Sequence, residues 1–328
     1  SQTTRLLEEI LKNNFHTKYF KKPFRLKGLF FIFVSHNNNL MTTINKLHSL
    51  FINCSSVSTD TRKIEPNCIF FALRGDNFDA NTFTKEALEK GAKYVVIDNS
   101  DYFIDERTLL VENTLVALQE LAKFHREYLG LPIIALTGSN GKTTTKELIH
   151  VVLSKKYKTL ATIGNLNNHI GVPLTLLRFN KETEIGIVEM GANHQKEIEF
   201  LCKIAQPDYG YITNFGKAHL EGFGGVEGVI KGKSEMYDYL KNNSKLIFVN
   251  LDDPIQNEKT ATVKRFSFAL NTSKPDVKIT AVEANPMVKI TYNNLLINSH
   301  LIGIYNANNI NAAITIGNYF KVSDEQIK

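Results

Sequence analysis

Leu136-Thr137-Gly138-Ser139-Asn140-Gly141-Lys142-Thr143-Thr144-Thr145 joins an apolar run at 133–137 to an amphipathic stretch at 143–153. The pattern is strand, glycine-rich turn, helix. Such a turn aims backbone N–H groups at a phosphate, and the helix N-terminus adds positive potential. Gly138, Ser139, Asn140, Gly141 and Thr144 would cradle the phosphates, Lys142 would neutralise them, and the Thr143 hydroxyl would hold Mg²⁺. The spacing departs from the strict G-x-x-x-x-G-K-[ST] motif, because Leu136 stands where the first glycine belongs. A Gly-Lys-Thr triplet alone is a common accident, but its strand–turn–helix setting favours nucleotide binding.

Outward from this loop, strands and helices alternate. Strands are expected at 185–188, 209–213 and 245–250, and helices at 195–204 and 226–240. That alternation predicts an α/β fold with a mostly parallel sheet flanked by helices. Residues 277–302 alternate apolar and polar, as antiparallel strands do, and a helix at 307–320 closes the pattern. Upstream, short β-like runs at 68–73, 94–97 and 108–111 surround a helical stretch at 82–90, and 115–129 reads as a helix. This is the pattern of a small N-terminal α/β domain.

The 328 residues, with 43% hydrophobic and 22% charged, suit two globular domains. The net charge of +6 is local. Residues 1–40 hold seven bases and two acids, whereas the remainder has 32 bases against 31 acids. The body is nearly neutral and has no aromatic–basic stripe, which argues against a nucleic-acid partner. Residues 1–40 are expected to be a non-native or disordered basic extension, with Met41 as the natural start. Three cysteines are too few for a disulfide framework and point to a reducing, cytoplasmic setting. The longest early apolar run, 29–34, is far short of the ~20 residues of a membrane span.

Three further positions carry chemistry. Glu189 ends the run at 185–188, and ligands of open parallel sheets sit beyond the carboxyl ends of strands. A carboxylate there can hold Mg²⁺, although exposed strand-end glutamates are common. His219 lies in a glycine-rich stretch beyond the strand at 209–213, but a lone histidine is more often merely polar surface or satisfied core. Lys233 falls on the apolar stripe Val226, Ile230, Tyr237, Leu240, while Lys231 should face water. A buried lysine has a depressed pKa, so its neutral amine can act as a nucleophile or add CO₂ to form a carbamate. A snorkelling lysine is the plainer alternative.

Six motifs in order resemble the Mur ligases of peptidoglycan synthesis, over about 58–320. They are Ser58-Thr59-Asp60-Thr61-Arg62 with Arg74-Gly75-Asp76-Asn77-Phe78-Asp79; the phosphate loop; Gly164-Asn165-Leu166-Asn167-Asn168-His169; Glu189-Met190-Gly191-Ala192-Asn193-His194; Ala218-His219-Leu220-Glu221-Gly222-Phe223; and Gly303-x-Tyr305-Asn306-x-x-Asn309. The family often has His where Tyr305 stands. The Gly-Ala-Asn-His and Ala-His-Leu-Glu-Gly-Phe versions are similar to the member that adds D-alanyl-D-alanine, not to the one that adds the third peptide residue.

The resemblance implies an ATP-dependent amide ligase that joins D-Ala-D-Ala to UDP-N-acetylmuramoyl-tripeptide through an acyl phosphate, acting as a cytoplasmic monomer. It implies that Lys142 and the loop hold ATP, that Asn306 and Asn309 contact the nucleotide, and that Thr143 and Glu189 bind one Mg²⁺. His219 and carbamylated Lys233 would help hold a second. The resemblance assigns Ser58, Thr59, Asp60, Thr61 and Arg62, with Arg74, Gly75, Asn77, Phe78 and Asp79, to the UDP sugar. It assigns Asn165, Asn167, Asn168, Asn193 and His194 to the substrate channel. The expected domains are 41–129 for the UDP sugar and 130–322 for ATP, with 323–328 beginning a C-terminal domain. A folylpolyglutamate-type ligase and a nucleotide-binding fragment unable to ligate are the alternatives.

Overall fold

The structure, a computed structural model, describes residues 41–217 and 219–328, together with the strands Arg25–Leu26 (β1) and Leu29–Phe30 (β2). The chain divides into two units, Ser1–Met41 and Thr42–Lys328. In the first, β1 and β2 pair antiparallel. The expectation of a disordered extension at 1–40 otherwise lies outside the described residues.

The second unit opens with α1 (Ile44–Phe51), capped by the Thr43 hydroxyl, and β3 (Val57–Ser58). Then come β4 (Ile69–Phe71), the short pair β5 (Arg74–Gly75) and β6 (Phe78–Asp79), and α2 (Thr84–Glu89). Next are β7 (Tyr94–Ile97), β8 (Thr108–Leu110) and α3 (Thr114–Leu129). Strands β3-β4-β7-β8 form one parallel sheet. The helix expected from residue 82 starts later, because Asp79 accepts the Asn81 N–H and turns 80–83 into a 3₁₀ segment.

The second sheet starts with β9 (Ile133–Thr137), buried throughout, followed by α4 (Lys142–Leu153), β10 (Thr159–Ala161), α5 (Gly171–Leu176) and β11 (Ile185–Glu189). Then follow α6 (Glu197–Ala205), β12 (Tyr209–Ile212), α7 (Leu220–Phe223), α8 (Val226–Asn242), β13 (Leu246–Asn250), α9 (Pro254–Lys259) and β14 (Arg265–Ala269). The chain continues through β15 (Val277–Ala284), β16 (Met287–Tyr292), β17 (Leu295–Ile302), α10 (Ala307–Tyr319) and α11 (Asp324–Ile327). The strand order is β10-β11-β9-β12-β13-β14-β15-β16-β17. It is parallel as far as β15 and antiparallel through β16 and β17.

Alternate residues of these strands face opposite sides, so each side needs its own cover. Ala135, Val188, Ile212 and Val249 pack with α5, α6 and α8. Ile134, Leu136, Ile187 and Phe248 pack with α4 and α10. The long helix α3 bonds to both sheets' surroundings. Thr114 Oγ1 donates to Ala72 O, Gln119 Nε2 to His169 O, and Arg126 to Ala205 O, Gln206 O and Asp208. Among the described residues no helix is long and apolar enough to cross a membrane.

Candidate active site

Because β9, β11 and β12 run parallel, their carboxyl ends share one edge, with β9 in the middle. The loop at 138–141 leaves β9 there. Gly138 has φ +144°, and a Cβ on it would collide with Thr213 Oγ1. Gly141 has φ +78° and caps α4; a Cβ there would press on the Asn309 amide. Only glycine fits either place. The first turn of α4 has no side-chain cap, so its N–H groups are free for a phosphate.

The loop is held by the segment that follows β12. Asn140 N–H donates to Asn214 Oδ1 and Ser139 N–H to Asn214 O, while Thr213 Oγ1 and Asn214 Nδ2 donate to Asn140 O. Ser139 Oγ donates to Gly216 O. The Ser139 and Asn140 amides expected to face phosphate therefore have protein partners. The bracing residues Thr213, Asn214 and Gly216 were not foreseen; their small polar run at a strand end is the signal that could have marked them. Lys142 Nζ donates to Gly138 O at 2.8 Å, folding over its own loop.

Glu189 sits opposite Leu136 in the β11–β9 register, one residue short of the loop's strand end. It is 1% exposed. Its Oε1 accepts from Asn167 Nδ2 at 2.9 Å, but buried Oε2 has no partner. A carboxylate oxygen buried without a donor is costly, and this one fits a hard cation such as Mg²⁺. Asn167 thus orients Glu189, whereas Asn168 Oδ1 accepts from Ile170 and Gly171 N–H in the turn that leads into α5. Asn165 is exposed.

Lys233 is 1% exposed on α8, and its Nζ lies 5.3 Å from the centre of the Phe223 ring. Burial, reinforced by the nearby Lys142 charge, pulls its pKa down to about 8. Lys142 is also lowered by burial, with Glu189's charge opposing. These three side chains share one electrostatic neighbourhood. Lys231 is exposed, as the helix period predicted. The stripe itself needs one correction: Val226 is 43% exposed, and the buried face starts at Gly228 and Val229. Phe223 packs against Gly232 and takes the place Val226 was expected to fill.

His219 is exposed, in the left-handed conformation (φ 54°) that starts α7. Among the described residues, no three His, Cys, Asp or Glu side chains converge on a metal-sized site. Asn193 and His194 N–H groups donate to Glu197, and this turn packs on Gly222. The expected nucleotide asparagines are buried and linked. Asn309 Nδ2 donates to Asn306 Oδ1, and Thr145 Oγ1 donates to Asn309 Oδ1.

The other set lies at the carboxyl ends of β3 and β4. Asp60 accepts both the Nε and the terminal nitrogen of exposed Arg62, which pulls its pKa down to about 2. Buried Ser58 exchanges hydrogen bonds with Asp60, Thr61 O accepts from Lys90, and Thr59 is half-buried. Arg74 pairs with Asp98 at 2.7 Å. Gly75, Asn77 and Phe78 are exposed, and the Phe78 ring stacks on Phe83. Asp79 is engaged as a cap.

Residues 136–317, more than half of the chain, match the Mur ligase middle domain. The chain belongs to the Mur ligase family. Among relatives of this family, the UDP-N-acetylmuramoyl-tripeptide–D-alanyl-D-alanine ligase of Bacillus subtilis is 38% identical over 273 residues. The match covers 82% of this chain and 59% of that one. The same ligase of Escherichia coli is 41% identical over 208 residues, covering 63% and 46%. The crystal structure of MurF from Acinetobacter baumannii superposes with a TM-score of 0.75 at 33% identity, covering 87% of this chain and 66% of that one. MurF from Thermotoga maritima, solved in complex with ADP, gives 0.71 at 27% identity, covering 84% and 66%. The chain spans about half to two thirds of the length of these Mur ligases.

Proposed function

We propose that this chain carries the UDP-sugar-binding (41–129) and ATP-binding (130–322) parts of a ligase that joins D-alanyl-D-alanine to UDP-N-acetylmuramoyl-tripeptide. The observation that carries the proposal is the edge shared by the glycine loop and the unpartnered Glu189 oxygen. It joins a phosphate cradle to a carboxylate suited to Mg²⁺. The relatives' names supply the substrate class.

A carboxylate becomes an amide only after it acquires a leaving group. The ATP γ-phosphoryl passes to the tripeptide carboxylate, giving an acyl phosphate and ADP. The amine of D-Ala-D-Ala then attacks the acyl carbon, the C–N bond forms, and phosphate and a proton leave. Two anions must meet, so Lys142 and the first-turn N–H groups of α4 offset their repulsion. Thr143 and Glu189 would hold Mg²⁺, which supplies further charge neutralisation when bound. Lys233, as a carbamate, and His219 would hold a second ion. The buried, low-pKa amine supports that assignment, because only a neutral amine adds CO₂. Arg62, Asn77 and Phe78 would face the UDP sugar, and His194 the peptide. Monomeric, cytoplasmic action belongs to the same proposal.

Phosphate release tests it. Release that requires both UDP-MurNAc-tripeptide and D-Ala-D-Ala supports the ligase. ADP binding without release leaves a nucleotide-binding module, and release with a folate as acceptor redirects the proposal to a folylpolyglutamate-type ligase.

A further inference from the structure

Lys146 is a fully buried charge that this chemistry leaves unused. It lies on α4, one turn beyond Lys142, and is 0% exposed. A lysine in that position is costly unless its donors are matched. Its Nζ donates to Thr162 O at 2.6 Å and pairs with the half-exposed Glu147 at 2.8 Å. Thr162 directly follows β10, the outer strand of the sheet beside β11. Its own N–H continues the ladder to Ile187 O, and its hydroxyl accepts the Glu189 N–H at 3.0 Å. Arg178 anchors the preceding residue by donating to Ala161 O at 3.1 Å.

We infer that Lys146 is a positioning residue that sets Glu189 for the metal by clamping Thr162, so that the phosphate-loop helix and the metal carboxylate are registered to each other. The path is short. The loop's own helix supplies Lys146, Lys146 fixes the Thr162 backbone, and the Thr162 hydroxyl fixes the Glu189 backbone. Asn167 then aims Oε1 and leaves Oε2 free. Partners one shell out from a metal ligand change metal affinity by ~10- to 100-fold when removed. The inference rests on the proposed Mg²⁺ role of Glu189.

The test compares Lys146→Met, Thr162→Val and Thr162→Ser with the unaltered chain. Amide hydrogen exchange reads the position of Glu189, and calorimetry reads ADP binding with Mg²⁺ and in EDTA. In Lys146→Met the Glu189 amide exchanges about tenfold faster while Ile187 and Val188 hold, and Mg²⁺-dependent ADP affinity falls by about tenfold with the EDTA value unchanged. Thr162→Val does the same, and Thr162→Ser restores both. Should Lys146→Met not fold, Lys146→Gln, too short to reach Thr162 O, takes its place with the same expected result, while the Thr162 variants decide the hydroxyl link to Glu189. Glu189 exchange equal to that of the unaltered chain, or raised equally along all of β11, overturns the inference. If the unaltered chain binds no ADP, the functional proposal fails by itself and the exchange arm still decides this one.

Discussion

Asn309 Oδ1 accepts the Thr145 hydroxyl at 3.0 Å, tying α10 to the first turn of the phosphate-loop helix across 164 residues of chain. The same amide packs against Gly141, the residue that opens that helix. Helix α10 therefore buttresses the glycine loop and the start of α4. Replacing Asn309 with Ala leaves the Thr145 hydroxyl and Asn306 without their partner, a cost of ~1–3 kcal/mol. The expected result is a lower Tm together with weaker ADP binding, measured by thermal unfolding and calorimetry.

Gly138→Ala acts more locally. The backbone at φ +144° disfavours any side chain, and the new methyl meets Thr213. Thr213 also braces Asn140, so its displacement opens the loop. ADP affinity is expected to fall by at least about tenfold, ~1.4 kcal/mol, while circular dichroism stays native. Unchanged affinity would contradict the role given to the loop.

Glu189→Gln separates stability from function. The amide keeps an oxygen for Asn167 and removes a buried charge whose second oxygen has no donor. Tm without Mg²⁺ is expected to change little, because the substitution relieves the unpartnered oxygen but also removes the negative charge beside Lys142. The Mg²⁺-dependent increment of ADP binding is expected to vanish. Calorimetry in Mg²⁺ and in EDTA checks both halves.

Acid should loosen the junction between α1 and α3. His125 Nε2 lies 2.9 Å from Phe179 O, which can only accept, so Nε2 carries the proton and Nδ1 is bare. His48 Nε2, 3.0 Å away, must then donate to it. Burial lowers the pKa of both rings, and for His48 the neighbouring His125 lowers it further. The unfolded chain therefore takes up protons first, near the ordinary imidazole value of ~6.5. Stability from this pair is complete above that value and is lost as pH falls from it towards the folded values. Tm recorded from about pH 8 to about pH 5 should fall on acidification. In His48→Gln, which keeps a donor for His125, the fall should be shallower.

The central part of this architecture was legible because each signal was local. The apolar run at 133–137, the glycines after it and the amphipathic residues of α4 lie within one short window. Lys233 was legible for a related reason, since the 3.6-residue period separates it from Lys231 whichever apolar residues complete the stripe. Val226 was misjudged because its burial depended on Phe223, which the helix period cannot see. Strand β10, helix α5 and strand β14 passed unnoticed. The first two are short, and β14 alternates Phe266 and Phe268 with Arg265 and Ser267, unlike the mostly apolar β13 beside it.

Sequence alone determined the alternating α/β order, the glycine loop with its lysine, the separation of Lys233 from Lys231 around α8 and the confinement of nearly all the net charge to residues 1–40. Periodicity and glycine placement are properties of neighbouring residues, and neighbours are visible in a string. Only the tertiary structure decided which oxygen of Glu189 stays free, that Asn309 serves Thr145 and Gly141, and that Asn214 takes the amides of Ser139 and Asn140. It also decided that Lys146 reaches Thr162. The contacts of Glu189, Asn214 and Lys146 depend on parallel strand pairing, whose crossover connections place distant segments side by side at one sheet edge, and that of Asn309 on the packing of α10 with α4 over one core.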